Sequence, residues 1–239
     1  MQDSFCNLST EEKEQIADTI LSSVMNEVKE VYLENRLQHR NAYTMLVWDF
    51  IGSRIIDELK STRLKVKKIK RGRFSFDLII DEENQTAYTI MKKSNISKVK
   101  KEQKFSHYLW ALASINKDFE VEEGQMNLFS LDGESSYREQ TCKELLKNVD
   151  AIIARYGIIV INDDNKQFPA IELHIYDMNL NCKYEEVWKE SFVLDYNFDF
   201  EEKDGEENIA LNVRLKDEEN KNVLKIKDDK EDMQFKKEG

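Results

Sequence analysis

The sequence predicts an α+β protein, with helices packed on antiparallel or mixed sheets and an extra β meander in its second half. Three observations carry that prediction. Residues 63–93 contain two β-rich runs around the polar turn Glu82-Glu83-Asn84-Gln85, which is a hairpin signal. Apolar residues recur at three- and four-residue spacing on either side of this stretch, the mark of amphipathic helices. Beyond residue 157, three short apolar runs are separated by Asp163-Asp164-Asn165-Lys166 and Asn179-Leu180-Asn181, the pattern of an antiparallel meander.

The first helix is expected over residues 9–37. Ser9-Thr10-Glu11-Glu12 has the form of a capping box, and Ile16, Ile20, Leu21, Val24, Val28, Val31 and Tyr32 form one apolar stripe. That stripe packs on the core or serves a second copy of the chain, so homo-oligomerisation through residues 9–37 is an open expectation. A second helix, residues 42–59, is apolar over more than one stripe and therefore more buried. Asp57 and Glu58 fall in its last turn, against the helix dipole. Residues 63–71 alternate apolar and basic side chains as a strand with a wet, basic face. Phe74, Phe76, Leu78 and Ile80 then share one strand face, with Ser75, Asp77 and Ile79 on the other. The apolar face should pack against the helices of 42–60 and 98–119, making residues 63–93 a three-strand antiparallel sheet.

The third helix is expected over residues 98–119, with Lys98, Lys100, Lys101 and Lys104 in its first turns, where they oppose the dipole. Residues 125–129 read as a short extended run. A fourth helix, residues 136–156, carries Leu145, Leu146, Val149, Ile152 and Ile153 inward and ends at Gly157. The meander follows over 158–188. From Asp195 the composition changes: residues 195–207 hold seven acids against Lys203. The chain thus divides into a main α+β domain, 1–194, and an acidic C-terminal hairpin and tail, 195–239. The main domain has a helical N-terminus (9–60), a central core (42–120) and a second half (125–194).

Composition narrows the function classes. No run of about 18 apolar residues appears, and the N-terminus lacks the basic-then-apolar order of a signal peptide, so no membrane association is expected. Cys6, Cys142 and Cys182 are scattered and form no CxxC pair, which points to a reducing, cytoplasmic compartment. His39, His107 and His174 are isolated in sequence and read as structural. Phosphate-binding glycine loops, GxSxG and HExxH are absent, so no cofactor is expected. The net charge of −11 is uneven. Residues 63–104 carry thirteen Lys/Arg and five Asp/Glu, a local charge of +8 that leaves −19 for the rest. Arg63, Lys65, Lys67, Lys68, Lys70 and Arg71 are therefore the nucleic-acid-binding candidates, and a protein partner is the other expectation for a chain with an acidic body and this basic strand.

The order helix, strand, hairpin, helix, strand, with Asp77 on the second strand, resembles the core of the restriction-endonuclease-like, or PD-(D/E)XK, nucleases over residues 42–120. That resemblance implies Asp77 as the metal-binding acid, Lys92 as the lysine of the motif and Glu58 as a helix acid, with Mg²⁺ as the cofactor. The motif is broken: the acid two residues before Lys92 should fall at Ile90, which binds no metal. The middle of the chain is similar to an uncharacterised bacterial and phage family of unknown function. Together these imply a non-catalytic protein-binding molecule of inhibitor or adaptor type with a decayed nuclease-like core, acting in phage–host conflict as defence or anti-defence. A Mg²⁺-dependent nuclease and a DNA-binding module are the alternatives.

Overall fold

The computed structural model describes residues 7–39, 41–71, 74–103, 105–117, 119, 132–164 and 169–190. The chain divides into units of residues 1–194 and 195–239. The C-terminal hairpin expected beyond Asp195 and the extended run 125–129 lie outside the described residues.

One six-stranded sheet, in the order β1-β2-β3-β4-β5-β6, organises the first unit. Strands β1 (Lys65–Arg71), β2 (Phe74–Asp81) and β3 (Thr86–Lys92) form the expected antiparallel meander. Strands β4 (Arg155–Asn162), β5 (Ala170–Tyr176) and β6 (Cys182–Glu190) form the second. A parallel β3–β4 pairing, from Thr86 opposite Arg155 to Lys92 opposite Ile161, fuses them. The C-terminal meander is therefore half of one mixed sheet and no appendage. Antiparallel neighbours can follow from short turns, whereas a parallel pair needs a long crossover, which the helices between β3 and β4 supply.

The N-terminal helices cover one face. Helix α1 (Thr10–Ser22) passes through a π-helical segment (Ser23–Glu27) into α2 (Val28–Glu34), and α3 is Tyr43–Leu59. The capping box forms as expected: Glu12 N donates to Ser9 Oγ at 3.1 Å, and Ser9 N donates to Glu12 Oε2 at 2.8 Å. Ile16, Ile20, Ile51 and Ile55 pack on Ile79, Tyr88, Ile159 and Leu173. The opposite face carries α4 (Lys93–Lys101), α5 (Tyr108–Ala113) and α6 (Asp132–Leu146). There Leu109 and Leu112 meet Tyr156, Ile158 and Val160, while Leu145 and Leu146 reach Leu78 and Ile80. Asn116 staples this layer to the sheet. Its Nδ2 donates to the carbonyls of Tyr156 and Tyr176, and its Oδ1 accepts from Tyr156 N, each at 2.8 Å.

Several expectations need correction. The face of Leu78 and Ile80 packs only on the second helical layer; α3 lies on the other side, against Ile79. Phe74, at the start of β2, is 70% exposed, and Phe76 is half-buried in a stack on Tyr108. The single helix expected over 98–119 is two helices. Gln103 takes a positive φ of 47° after α4, and His107 starts α5 by accepting from Leu109 N. Because α4 begins at Lys93, Lys98, Lys100 and Lys101 lie in its last turn, where the dipole favours them. The fourth helix stops at Leu146. Tyr156 belongs to β4, and Gly157 lies inside that strand, where an added Cβ would meet Tyr88 and Leu173 at 3.0 Å. Among the described residues, no helix is long and apolar enough to cross a membrane.

Candidate functional site

The nuclease-type candidates are spread over the first layer. Asp77 is on the face expected, pointing at α3. A Cβ built on Gly52 would fall 2.5 Å from its Oδ2, so the carboxylate rests on bare helix backbone. Its Oδ1 is buried and has no hydrogen-bond partner among the described residues. Burial raises its pKa above the ordinary aspartate range, with Lys68, its direct cross-strand partner on β1, pulling the other way. The β2–β3 pairing runs from Asp81 opposite Thr86 to Ile79 opposite Tyr88 and ends two residues short of Asp77. Lys92 closes β3 and is half-buried. Glu58 is exposed at the far end of α3, where Gln15 donates to its carbonyl at 3.1 Å. It lies six residues beyond Gly52, a rise of about 9 Å along the helix. Glu58 is thus not brought to Asp77.

The six basic candidates divide into two groups. Arg63 points inward: it donates through Nη1 to Asp81 and through Nε to Glu12 at 3.0 Å. Asp81 is fully buried and also accepts from the backbone and side chain of Asn84. Burial opposes its charge, but Arg63 and Asn84 prevail and hold its pKa below the usual range. Lys65 pairs with Glu82 at 2.6 Å, and Arg71 donates to the Ser106 carbonyl at 2.9 Å. Lys67, Lys68 and Lys70 are exposed and make no ion pair with described residues. They stand on β1, which ends the sheet among the described residues, so one side of that strand has no described strand neighbour. Lys67 and Lys68 lie on opposite faces of it. Beside β1 lies an open groove of about 550 Å³, lined by apolar residues including Ile56, Leu64, Val66 and Ile80, by Lys60, Lys65 and Lys67, and by Glu82 and Asp150.

A polar cluster at the opposite edge was not legible as a site in sequence. Glu172, His174 and Tyr176 alternate along β5 and so share one face, all buried. His174 Nε2 lies 2.7 Å from Glu172 Oε2, and its Nδ1 lies 2.9 Å from the Tyr176 hydroxyl. Asn162 Nδ2 donates to the other Glu172 oxygen at 2.6 Å. From β6, Glu185 approaches to 3.8 Å from His174 Nε2. Among the described residues, His174, Cys182 and Glu185 offer ligand atoms that all lie within 4.8 Å of one another. The available signal was the period-two spacing of Glu172, His174 and Tyr176, which an apolar strand does not need.

A family model described as a family of unknown function (DUF5986) matches residues 6–238. No curated protein and no solved structure matches the chain. The similarity to an uncharacterised family therefore has a counterpart among known families, while none of these comparisons supports a restriction-endonuclease-like core.

Proposed function

The chain belongs to this family of unknown function, and from its own geometry we propose that it is a non-catalytic binding protein whose contact surface is the basic β1 edge. The observation that carries this reading is the position of β1 at the end of the described sheet together with Lys67, Lys68 and Lys70, which make no ion pair with described residues. An edge strand presents unpaired backbone donors and acceptors, and an extended segment of a partner can add to it as a further strand. The lysines select acidic side chains on that segment. The apolar lining of the neighbouring groove takes its alternate residues, because successive side chains of a strand point to opposite faces. The occupant is therefore an extended, acidic segment of another protein.

Charge counting favours this over DNA. A protein held to duplex DNA by phosphate contacts commonly makes on the order of six to ten of them. Here Arg63 and Lys65 are engaged in ion pairs within the chain. The net charge of −11 repels any anionic partner in proportion to its charge, so it weighs more against a duplex than against a short acidic segment. The nuclease reading has one observation in its favour, the unpartnered buried oxygen of Asp77. Glu58, the helix acid it would use as the second carboxylate, lies about 9 Å further along α3 than Gly52.

The test is a titration of the full chain with a synthetic peptide of alternating glutamate and valine, and separately with a random-sequence DNA duplex. Backbone resonances of β1 should shift with the peptide, and the Lys67→Glu/Lys68→Glu/Lys70→Glu variant should lose the response. Binding of the duplex alone would instead favour a DNA-binding module.

A further inference from the structure

The β5–β6 edge carries a second site, built by an irregularity in strand pairing. His174 pairs with Glu185, and Ile175 with Tyr184, but Tyr176 pairs with Cys182, so Lys183 is an extra residue in β6. In a regular strand, positions 182 and 185 would point to opposite faces. The bulge at Lys183 reverses that alternation and brings Cys182 and Glu185 onto the face of His174 and Tyr176. Bulges that re-aim a side chain are frequent beside functional sites.

We propose that His174, Cys182 and Glu185 bind a divalent transition metal of the zinc class. A thiolate, an imidazole and a carboxylate form a mixed S, N, O donor set suited to Zn²⁺, and three protein ligands leave a fourth position for water. Bond lengths of about 2.0–2.3 Å place tetrahedral ligands roughly 3.3–3.8 Å apart. Glu185 already lies 3.8 Å from His174 Nε2, and the widest separation in the trio is within 4.8 Å. Closing the remainder requires movement of Cys182 and Glu185, both exposed on an edge strand, while His174 stays fixed in the sheet.

The outer shell is also in place. A metal-bound histidine donates its other ring N–H to a neighbour, which fixes the tautomer. With Nε2 on the metal beside Glu185, Nδ1 keeps its partner in the Tyr176 hydroxyl at 2.9 Å, and Glu172, 2.7 Å from Nε2, gives up its hydrogen bond to that nitrogen. Asn162 in turn holds Glu172 at 2.6 Å. Lys93 and Lys100 are nearby cations; Lys93 pairs with Asp164 at 2.8 Å, and Lys100 donates to Asn181 Oδ1 at 3.0 Å. Binding takes Cys182 as the thiolate and releases its thiol proton to solvent.

The experiment is titration of the reduced, chelator-stripped full chain with Co²⁺, followed by competition with Zn²⁺. A thiolate-to-cobalt charge-transfer band should grow to saturation at a single equivalent and disappear when Zn²⁺ is added. Cys182→Ser should abolish the band and weaken Zn²⁺ binding by about tenfold or more, and Glu185→Gln should weaken it similarly. Both positions are exposed, so neither variant threatens the fold. Cys142→Ser, in α6 and not one of the three converging ligand residues, should leave the band intact. Absence of a band under excess Co²⁺, or a band that survives Cys182→Ser, overturns the proposal.

Discussion

Gly52 and Asp77 are fitted to one another: the carboxylate of β2 occupies the space that a Cβ at position 52 of α3 would fill, 2.5 Å from Asp77 Oδ2. Glycine inside a helix costs about 1 kcal/mol relative to alanine, so Gly52→Ala would stabilise an isolated α3. In the folded protein the overlap should outweigh that gain and give a net loss of about 1–2 kcal/mol, within the usual range for overpacking. Chemical denaturation of Gly52→Ala, with and without Asp77→Ala, checks this. The double variant should recover the stability that the single one loses. Burial raises the pKa of Asp77, so the folded state holds its proton more tightly than the unfolded chain. Its contribution therefore favours folding at acid pH and declines as pH rises from about 4 through the raised folded value. Asp77→Asn should remove that decline.

Asp81 has the opposite sign. Arg63 and Asn84 hold its pKa down, so its contribution is fully present above about pH 4 and is lost as pH falls through the folded value. Arg63→Met would leave a fully buried carboxylate with no cation, and should cost about 3–5 kcal/mol at neutral pH. The loss should shrink under acid conditions, where Asp81 is protonated. A loss that stays constant with pH would mean that Arg63 acts through packing alone.

The β2 face should show a gradient. Leu78 is fully buried, Phe76 is half-buried on Tyr108 and Phe74 is exposed. Leu78→Ala should cost about 3–5 kcal/mol. Phe76→Ala should cost less, about 1–2 kcal/mol, of which the aromatic stack supplies about 0.5–1.5. Phe74→Ala should fall within about 0.5 kcal/mol of wild type, as exposed substitutions do. Equilibrium unfolding of the three variants decides the order.

The purified protein should leave DNA intact in Mg²⁺ or Mn²⁺. Asp77 faces Gly52, and Glu58 lies about 9 Å further along α3. Productive in-line attack needs a metal fixed by convergent ligands. Cleavage that vanishes in both Asp77→Ala and Lys92→Ala would contradict this expectation.

Both antiparallel meanders were legible in the sequence, because Phe74 to Lys93 and Ile158 to Trp188 combine strand periodicity with polar turns. So was the N-terminal cap, since Ser9 and Glu12 stand at the spacing that its hydrogen bonds require. Fusion of the meanders by β3 and β4 was not legible, because a parallel pairing across some sixty residues leaves no local pattern. Helix limits failed where a local backbone choice prevailed over periodicity. Gln103 in a left-handed conformation ends α4, and Ile152 continues an apolar spacing although it is 73% exposed. The basic stretch was visible, but Arg63 looks the same in sequence as Lys67. Only the fold turns one towards Asp81 and leaves the other in solvent. His174 and Cys182 are eight residues apart around a turn, and the bulge that joins them has no sequence signature.

The central claim is that β1 is a docking edge, and peptide titration monitored residue by residue tests it most directly. The alternating glutamate–valine peptide should shift the backbone amides of β1 and the groove residues Leu64 and Val66. Its affinity should weaken with added salt and be lost in the Lys67→Glu/Lys68→Glu/Lys70→Glu variant. Lysines on an edge strand can also serve only to repel other strands. If the β1 amides do not respond to the peptide at low salt, or respond equally in the triple variant, the lysines are guards of the edge and the proposed function is wrong.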